Sequence, residues 1–282
     1  SPYKTLCRAA AKPCETSMQD IGTEKMKIGI VGCMGRVGSI LTQELTTGNW
    51  DNLEFVGGTA LPADIKGADV DFFLTDNPDE LFEKADAVID FTIPDATRKH
   101  IWLAAKHKTA LIIGTTGLNA EDEREMTDAA KETPIVYSAN FSIGVNVLLA
   151  LVEQASARLK DGWDIEVFES HHKHKIDAPS GTALAIGKAA AAGREVELED
   201  VADWARHGET GARKDGQIGF SVARGGDVVG DHTAFFYAEG ERLELTHKAT
   251  NRALFAKGAI RAASWSKNQT PGLYSMKDVL DL

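Results

Sequence analysis

The chain has 282 residues, 43% of them apolar, enough to bury a sizeable core over one or two domains. Its 31 Lys and Arg stand against 42 Asp and Glu, and the formal charge of −11 argues against a surface built to bind nucleic acid or an anionic membrane, while leaving room for a local basic site. The longest nearly unbroken apolar stretch, 145–152, is interrupted at Asn146 and falls well short of the roughly 20 residues a membrane-spanning helix needs.

The first 25 residues carry Lys4, Arg8 and Lys12 before the first acid, Glu15, and show no apolar periodicity. A secretory signal would need an apolar core of about 7 to 15 residues. Residues 1–25 are therefore expected to be a disordered extension, a transit peptide being the alternative, with Met26 as the start of the fold. Cys7, Cys14 and Cys33 are an odd number crowded near the beginning, unlike a disulfide framework, and fit a reducing cytoplasm.

From Met26 a short apolar run, 27–32, ends in glycine and gives way to a helical pattern over 36–47, with Val37, Ile40, Leu41 and Leu45 on one side. Further apolar runs at 53–56, 87–91, 110–113 and 134–137 predict strands, and 95–106 and 119–132 predict helices between the last three. Strands apolar on both sides that alternate with helices predict a Rossmann-type doubly wound parallel sheet. After Asn140 the texture changes. A helix over 144–159 leads to a strand at 164–170, a His-rich turn and a small-residue helix over 181–192. Runs at 217–224, 232–238 and 242–248 predict sequential strands, expected to be antiparallel, in an α+β unit with an open mixed sheet. A last helix, 252–265, is placed to return to the first unit. The expected division is one unit over 26–142 with 252–282 and a second over 143–251.

Gly32, Cys33, Met34, Gly35, Arg36, Val37 and Gly38 span the junction of the first strand and helix, where backbone N–H groups and the helix dipole can hold a pyrophosphate. The spacing is G-x-x-G-x-x-G, with Met34 where the usual fingerprint has its second glycine. A tight turn with glycines for packing is the alternative. The acid that usually reads the ribose of NAD is missing after the second strand, where Gly57 to Pro62 carry none and the first is Asp64. Arg36 suits a 2′-phosphate or is simply a solvent-exposed helix residue, so the expected cofactor is NADPH or NADH, with NADPH slightly favoured. Gly114, Thr115 and Thr116 follow one buried strand, and Ser138, Ala139, Asn140 and Phe141 follow the next. All three loops fall on the carboxyl edge of the sheet, where open α/β folds bind ligands.

In an acidic chain, the run His171, His172, Lys173, His174, Lys175 is an island that attracts an anion. His supplies a proton near neutral pH and Lys adds a fixed positive charge. If the strand stays extended, His171 and Lys175 point to one face. Ser180 is placed to cap the next helix, leaving the N–H groups of Gly181 and Thr182 for a carboxylate. Metal binding by His-His-x-His is disfavoured by Lys173 and Lys175, and no metal is expected; a solvated basic loop is the remaining alternative.

Taken together, these segments resemble the 4-hydroxy-tetrahydrodipicolinate (dihydrodipicolinate) reductase family, over 26–282. The most specific part is 169–183, which resembles the signature E-[AS]-H-H-x-x-K-x-D-x-P-S-G-T-A. The resemblance implies NAD(P)H-dependent reduction of a cyclic dicarboxylate imine in lysine and diaminopimelate biosynthesis, by a cytoplasmic homotetramer in which 26–142 with 252–282 is the dinucleotide-binding unit and 143–251 the unit for substrate binding and oligomerisation. It implies His171 as acid/base, Lys175 as proton donor, His172, Gly181 and Thr182 as substrate-binding, with Ser180 beside them, and the three glycine and serine loops as cofactor-binding. A different two-domain amino-acid dehydrogenase and a non-catalytic NAD(P)-sensing module are the alternative readings.

Overall fold

The computed structural model describes residues 24–282, so nearly all of the expected extension lies outside the described residues. The first stretch runs β1 (Met26–Val31), α1 (Arg36–Thr47), β2 (Leu53–Thr59), α2 (Pro62–Ile65), β3 (Leu74–Thr75), α3 (Pro78–Lys84), β4 (Ala87–Asp90), α4 (Pro94–His107), β5 (Ala110–Ile113), α5 (Ala120–Ala129) and β6 (Pro134–Tyr137). The second runs α6 (Ile143–Arg158), β7 (Asp164–His171), α7 (Gly181–Arg194), α8 (Leu198–Val201), β8 (Ala202–Asp203), β9 (Ile218–Arg224), β10 (Gly230–Ala238) and β11 (Glu241–Ala249). The chain then closes with α9 (Ala253–Ser266), β12 (Gly272–Tyr274) and α10 (Met276–Leu280).

The first sheet has the order β12-β6-β5-β4-β1-β2-β3, and every pairing in it is parallel. Every residue of β4 and β5 is buried, because helices cover both faces. Winding reverses between β1 and β4, which opens a crevice at the carboxyl ends of these strands. β2 continues to Thr59 through glycines that the sequence suggested were already a loop. Gly57 sits at φ +134, and a register shift opposite it, between Ile28 and Gly29, absorbs the irregularity.

The second sheet, β11-β10-β7-β9-β8, corrects the expected sequential antiparallel strands. β10 is antiparallel to β7 and β11, but β9 runs parallel to β7 on its other side, so β9 and β10 do not pair. The cause is the connection: between β7 and β9 the chain crosses the sheet through α7, and a helical crossover brings the next strand back in the same direction. Ala183, Ile186 and Ala190 of α7 are buried with Ile165, Val167, Ile218 and Phe236 of the sheet.

Helix α9 returns to the first sheet, where Ala256, Ala259, Ile260 and Ala263 join Ile28, Ile30, Ile89 and Ile112 in one core. Its Gly258 faces the loop after β6 so closely that an added Cβ would lie 1.7 Å from the Phe141 carbonyl oxygen. Gly258→Ala sets a gain of about 1 kcal/mol in helix propensity against a backbone clash that costs roughly 1–3 kcal/mol or more. The clash should win and lower the urea midpoint; an unchanged or raised midpoint would show that the helix has room to move.

Candidate active site at the carboxyl edge of the parallel sheet

The loop after β1 leads into α1 with Gly35 as N-cap, no side-chain cap and no acid in the first turn. The N–H groups that begin this helix therefore lack the capping partners that Asn119 and Ser142 supply to α5 and α6. A Cβ on Gly38 would lie 2.0 Å from the Gly32 carbonyl oxygen, so glycine lets the loop press onto the helix. This bare, closely approached helix end fits a dinucleotide pyrophosphate. Cys33 is buried, and burial pushes its thiol up to about 11, which makes it a neutral packing group. Met34 and Arg36 are exposed at the mouth of the loop and Val37 packs partly into the core.

The loops after β5 and β6 open on the same edge. Thr115 is buried while Thr116 is exposed. The Phe91 ring occupies the space above Gly114, 2.2 Å from where a Cβ would sit, and lies 5.5 Å from the Phe141 ring. Phe91 and Thr92 follow β4 at the point of reversal and were missed by the sequence reading, although they end a buried strand like the other loops. Ser138 Oγ donates to the Asn140 carbonyl at 2.8 Å, while Ala139 is exposed beside it. Asn140 Nδ2 then reaches across to donate to Thr182 Oγ1 at 3.2 Å, joining this edge to the start of α7.

On the second sheet, β7 ends at His171 and the expected extended run stops there. Lys175 N–H bonds the His172 carbonyl at 3.1 Å in a turn, so Lys175 is brought round by a bend rather than by strand alternation. Its Nζ donates to Asp177 Oδ1 at 2.8 Å. Glu169, two residues before His171, shares its face and is 1% exposed. The Glu169 carboxylate accepts from His171 Nδ1 at 2.6 Å, Ser180 N–H at 2.9 Å, and both terminal nitrogens of Arg224 at 2.7 and 2.8 Å. Ser180 caps α7 by accepting from Ala183 N–H at 3.1 Å, and its Oγ meets His232 Nε2 at 3.0 Å. Gly181 is exposed and Thr182 half-buried at the head of that helix. His172, Lys173 and His174 line a cavity of about 650 Å³ with Asp227 and Arg252, the latter arriving from the head of α9.

Burial would push the Glu169 carboxyl up, but Arg224, His171 and the Ser180 N–H outweigh it and hold it below its ordinary value. Desolvation and the neighbouring Arg252, His171, His174 and Lys175 charges push His172 down. Burial and the His171 charge carry His232 down to about 4, so it is neutral at physiological pH. Lys175 holds Asp177 down. The arrangement offers a histidine oriented through Nδ1, an ammonium paired to Asp177 and the N–H groups of a helix end, groups of the kind that can bind a carboxylate and move a proton.

Because the folded chain holds Glu169 below its ordinary 4.5, the unfolded chain binds the proton more readily. Its stabilising contribution is complete above that value and is lost as the pH falls through the lowered pKa. Glu169→Gln should cost roughly 1–3 kcal/mol of unfolding free energy at neutral pH, and the gap from the unaltered protein should narrow once the pH drops below 4.5. Urea titrations at several pH values measure this; a gap independent of pH would show that the carboxylate form is not favoured by the fold.

Residues 26–141 match the family description "Dihydrodipicolinate reductase, N-terminus", and residues 144–280 match "Dihydrodipicolinate reductase, C-terminus". The 4-hydroxy-tetrahydrodipicolinate reductases of Magnetococcus marinus and Dinoroseobacter shibae are 44% and 48% identical to the chain, over 90% of it and 98% of each relative. A dipicolinate-bound dihydrodipicolinate reductase from Paenisporosarcina sp. TG-14 shares the fold with a TM-score of 0.74 at 24% identity, over 89% of this chain and 97% of that one. Both halves match in one order along nearly the whole length of the relatives, and the chain belongs to the dihydrodipicolinate reductase family of NAD(P)H-dependent oxidoreductases.

Proposed function

We propose that the chain reduces 4-hydroxy-tetrahydrodipicolinate to tetrahydrodipicolinate with NADPH or NADH, in lysine and diaminopimelate biosynthesis. The observation that carries this reading is the Asn140–Thr182 hydrogen bond, which sets a carboxylate-binding helix end against the edge that carries the glycine loop. The backbone of 32–37, Gly114 to Thr116 and Ser138 to Phe141 would hold the dinucleotide. When bound, it supplies a hydride to the conjugated imine left after the substrate loses its hydroxyl as water. The resulting enamine carbon takes one proton, which completes the balance.

Lys175 delivers that proton, and a substrate carboxylate releases it from Asp177 by taking over as counter-ion. His171 acts as acid/base through Nε2, because Glu169 engages Nδ1. The Gly181 and Thr182 N–H groups bind one carboxylate, helped by the dipole of α7 and by Ser180, which fixes the cap. His172 binds the other. Segments 26–142 and 252–282 form the cofactor unit, and 143–251 forms the substrate and assembly unit. The outer face of the second sheet supports a homotetramer: Phe168 is 37% exposed there, and the Phe235 and Tyr237 rings stack at 5.4 Å beside it. We place the enzyme in the cytoplasm.

A coupled assay that generates the substrate in place should show NADPH, and also NADH, oxidised only when substrate is present. Binding of NADPH without oxidation would favour a sensing module instead. His171→Ala and Lys175→Ala should each lower kcat by about 100- to 10,000-fold, as proton-transfer groups do. His172→Ala and Thr182→Ala should act mainly on the substrate KM. Near-native kcat in both of the first pair would reduce the island to an anion-binding loop.

Arg36 stands at the head of α1, and the end of β2 at Thr59 is followed by no acid before Asp64 to read an unphosphorylated ribose. Arg36→Ala should therefore raise the dissociation constant of NADPH more than that of NADH, since the 2′-phosphate is the one group that differs. Equal losses, measured by fluorescence titration, would remove Arg36 from cofactor selection.

A further inference from the structure

The parallel sheet buries one carboxylate at the point where its winding reverses. Asp90 closes β4 with 0% exposure, and a charge in that position must be paired or it is strongly destabilising. Oδ2 accepts from His100 Nδ1 at 2.7 Å, and His100 on α4 is itself 5% exposed. Oδ1 accepts from Thr92 N–H at 2.9 Å, Thr92 Oγ1 at 2.6 Å and Thr115 Oγ1 at 3.2 Å. The Thr115 hydroxyl in turn accepts from Thr97 Oγ1 at 2.9 Å and from Thr92 N–H at 3.1 Å. Desolvation alone would push Asp90 up; the bonds from His100 and Thr92, with the His100 charge, outweigh it.

The residues held by this pair touch each loop of the crevice. The Thr92 methyl lies 2.9 Å from where a Cβ of Gly32 would sit, in the first loop. Thr115 belongs to the second loop. Phe91, next to Asp90 in the chain, sits above Gly114 and against Phe141 of the third. Well-packed apolar residues could fill this space with similar stability, but they could not fix the rotamers of two threonines and the path of the backbone between them. The side chains of Asp90 and His100 are buried beneath these loops, which assigns them to holding the crevice rather than to contacting a ligand.

We propose that the Asp90–His100 pair is a positioning device for the dinucleotide crevice, setting Thr92 and Thr115 and, through them, the spacing of the three loops. The proposal rests on the assignment of that crevice to NADPH or NADH. The test is a fluorescence titration of NADPH, with thermal melts and steady-state kinetics, on the unaltered protein and on His100→Leu, His100→Asn and Thr97→Val. Loss of one hydrogen bond to a buried charge in His100→Leu should weaken NADPH about tenfold or more, with the substrate KM at saturating NADPH unchanged. His100→Asn, whose amide nitrogen can stand near the position of Nδ1, should recover most of the affinity. Thr97→Val keeps the shape, removes the donor to Thr115, and should weaken NADPH by a smaller factor without unfolding the chain.

A lowered melting temperature with unchanged NADPH affinity in His100→Leu and Thr97→Val would overturn the proposal in favour of a purely structural pair. Equal weakening of NADPH and substrate would also overturn it, as a general loosening. If His100→Leu does not fold, Thr97→Val decides the matter alone. Failure of the unaltered protein to bind NADPH and NADH alike would remove the crevice assignment and this proposal together.

Discussion

A buried carboxylate has to be surrounded by donors, and where those donors come from dictates which segments are held together. Glu169 draws His171 from its own strand, the Ser180 N–H from the head of α7 and the Arg224 guanidinium from β9. One acid thereby fixes the end of β7, the beginning of the helix that follows the basic turn, and the neighbouring parallel strand. The turn between His171 and Ser180 is clamped at both ends, and the His172 N–H also donates to the Val228 carbonyl at 2.8 Å. An acidic chain thus concentrates positive charge in one place without letting its own carboxylates neutralise it completely.

Two of the buried acids divide the work between the halves of the molecule. Asp90 organises the loops at the carboxyl edge of the first sheet, and Glu169 organises the histidine and the helix head of the second. Neither faces open solvent, and each is paired with a histidine through Nδ1. The exposed pair Lys175–Asp177 is of a different kind, a replaceable contact on a turn, and worth little to stability. The rigid pairs lie beneath the loops, and the exchangeable one lies at the surface.

Much of this was legible in the sequence because the signals are local. The buried strands β1, β4, β5 and β6 announce themselves as apolar runs, and the helix after Ser180 carries its cap in the residue before it. The short elements β3, α3, β12 and α10 escaped: with two to seven residues each they show no period to read. The antiparallel expectation for β9 failed because strand direction depends on where a crossover lands. Glu169 could have been found from alternation alone, two residues before His171. Arg224 could not, since it is 55 residues away and meets Glu169 only through the β7–β9 register.

The return of the chain to its first sheet has a consequence for how the molecule is made. β12 pairs with β6 and supplies the edge of the seven-stranded sheet, while α9 covers β4 and β5. As the polypeptide emerges from the ribosome, β6 appears long before its neighbour and waits as an uncovered hydrogen-bonding edge, with the apolar face of β4 and β5 still bare. The whole α6 to β11 segment is synthesised in that interval and has its own core to close. The α6 to β11 core can therefore close before the first sheet is complete, and the nascent chain stays exposed to aggregation until α9 and β12 have emerged to cover β4 and β5 and to pair with β6.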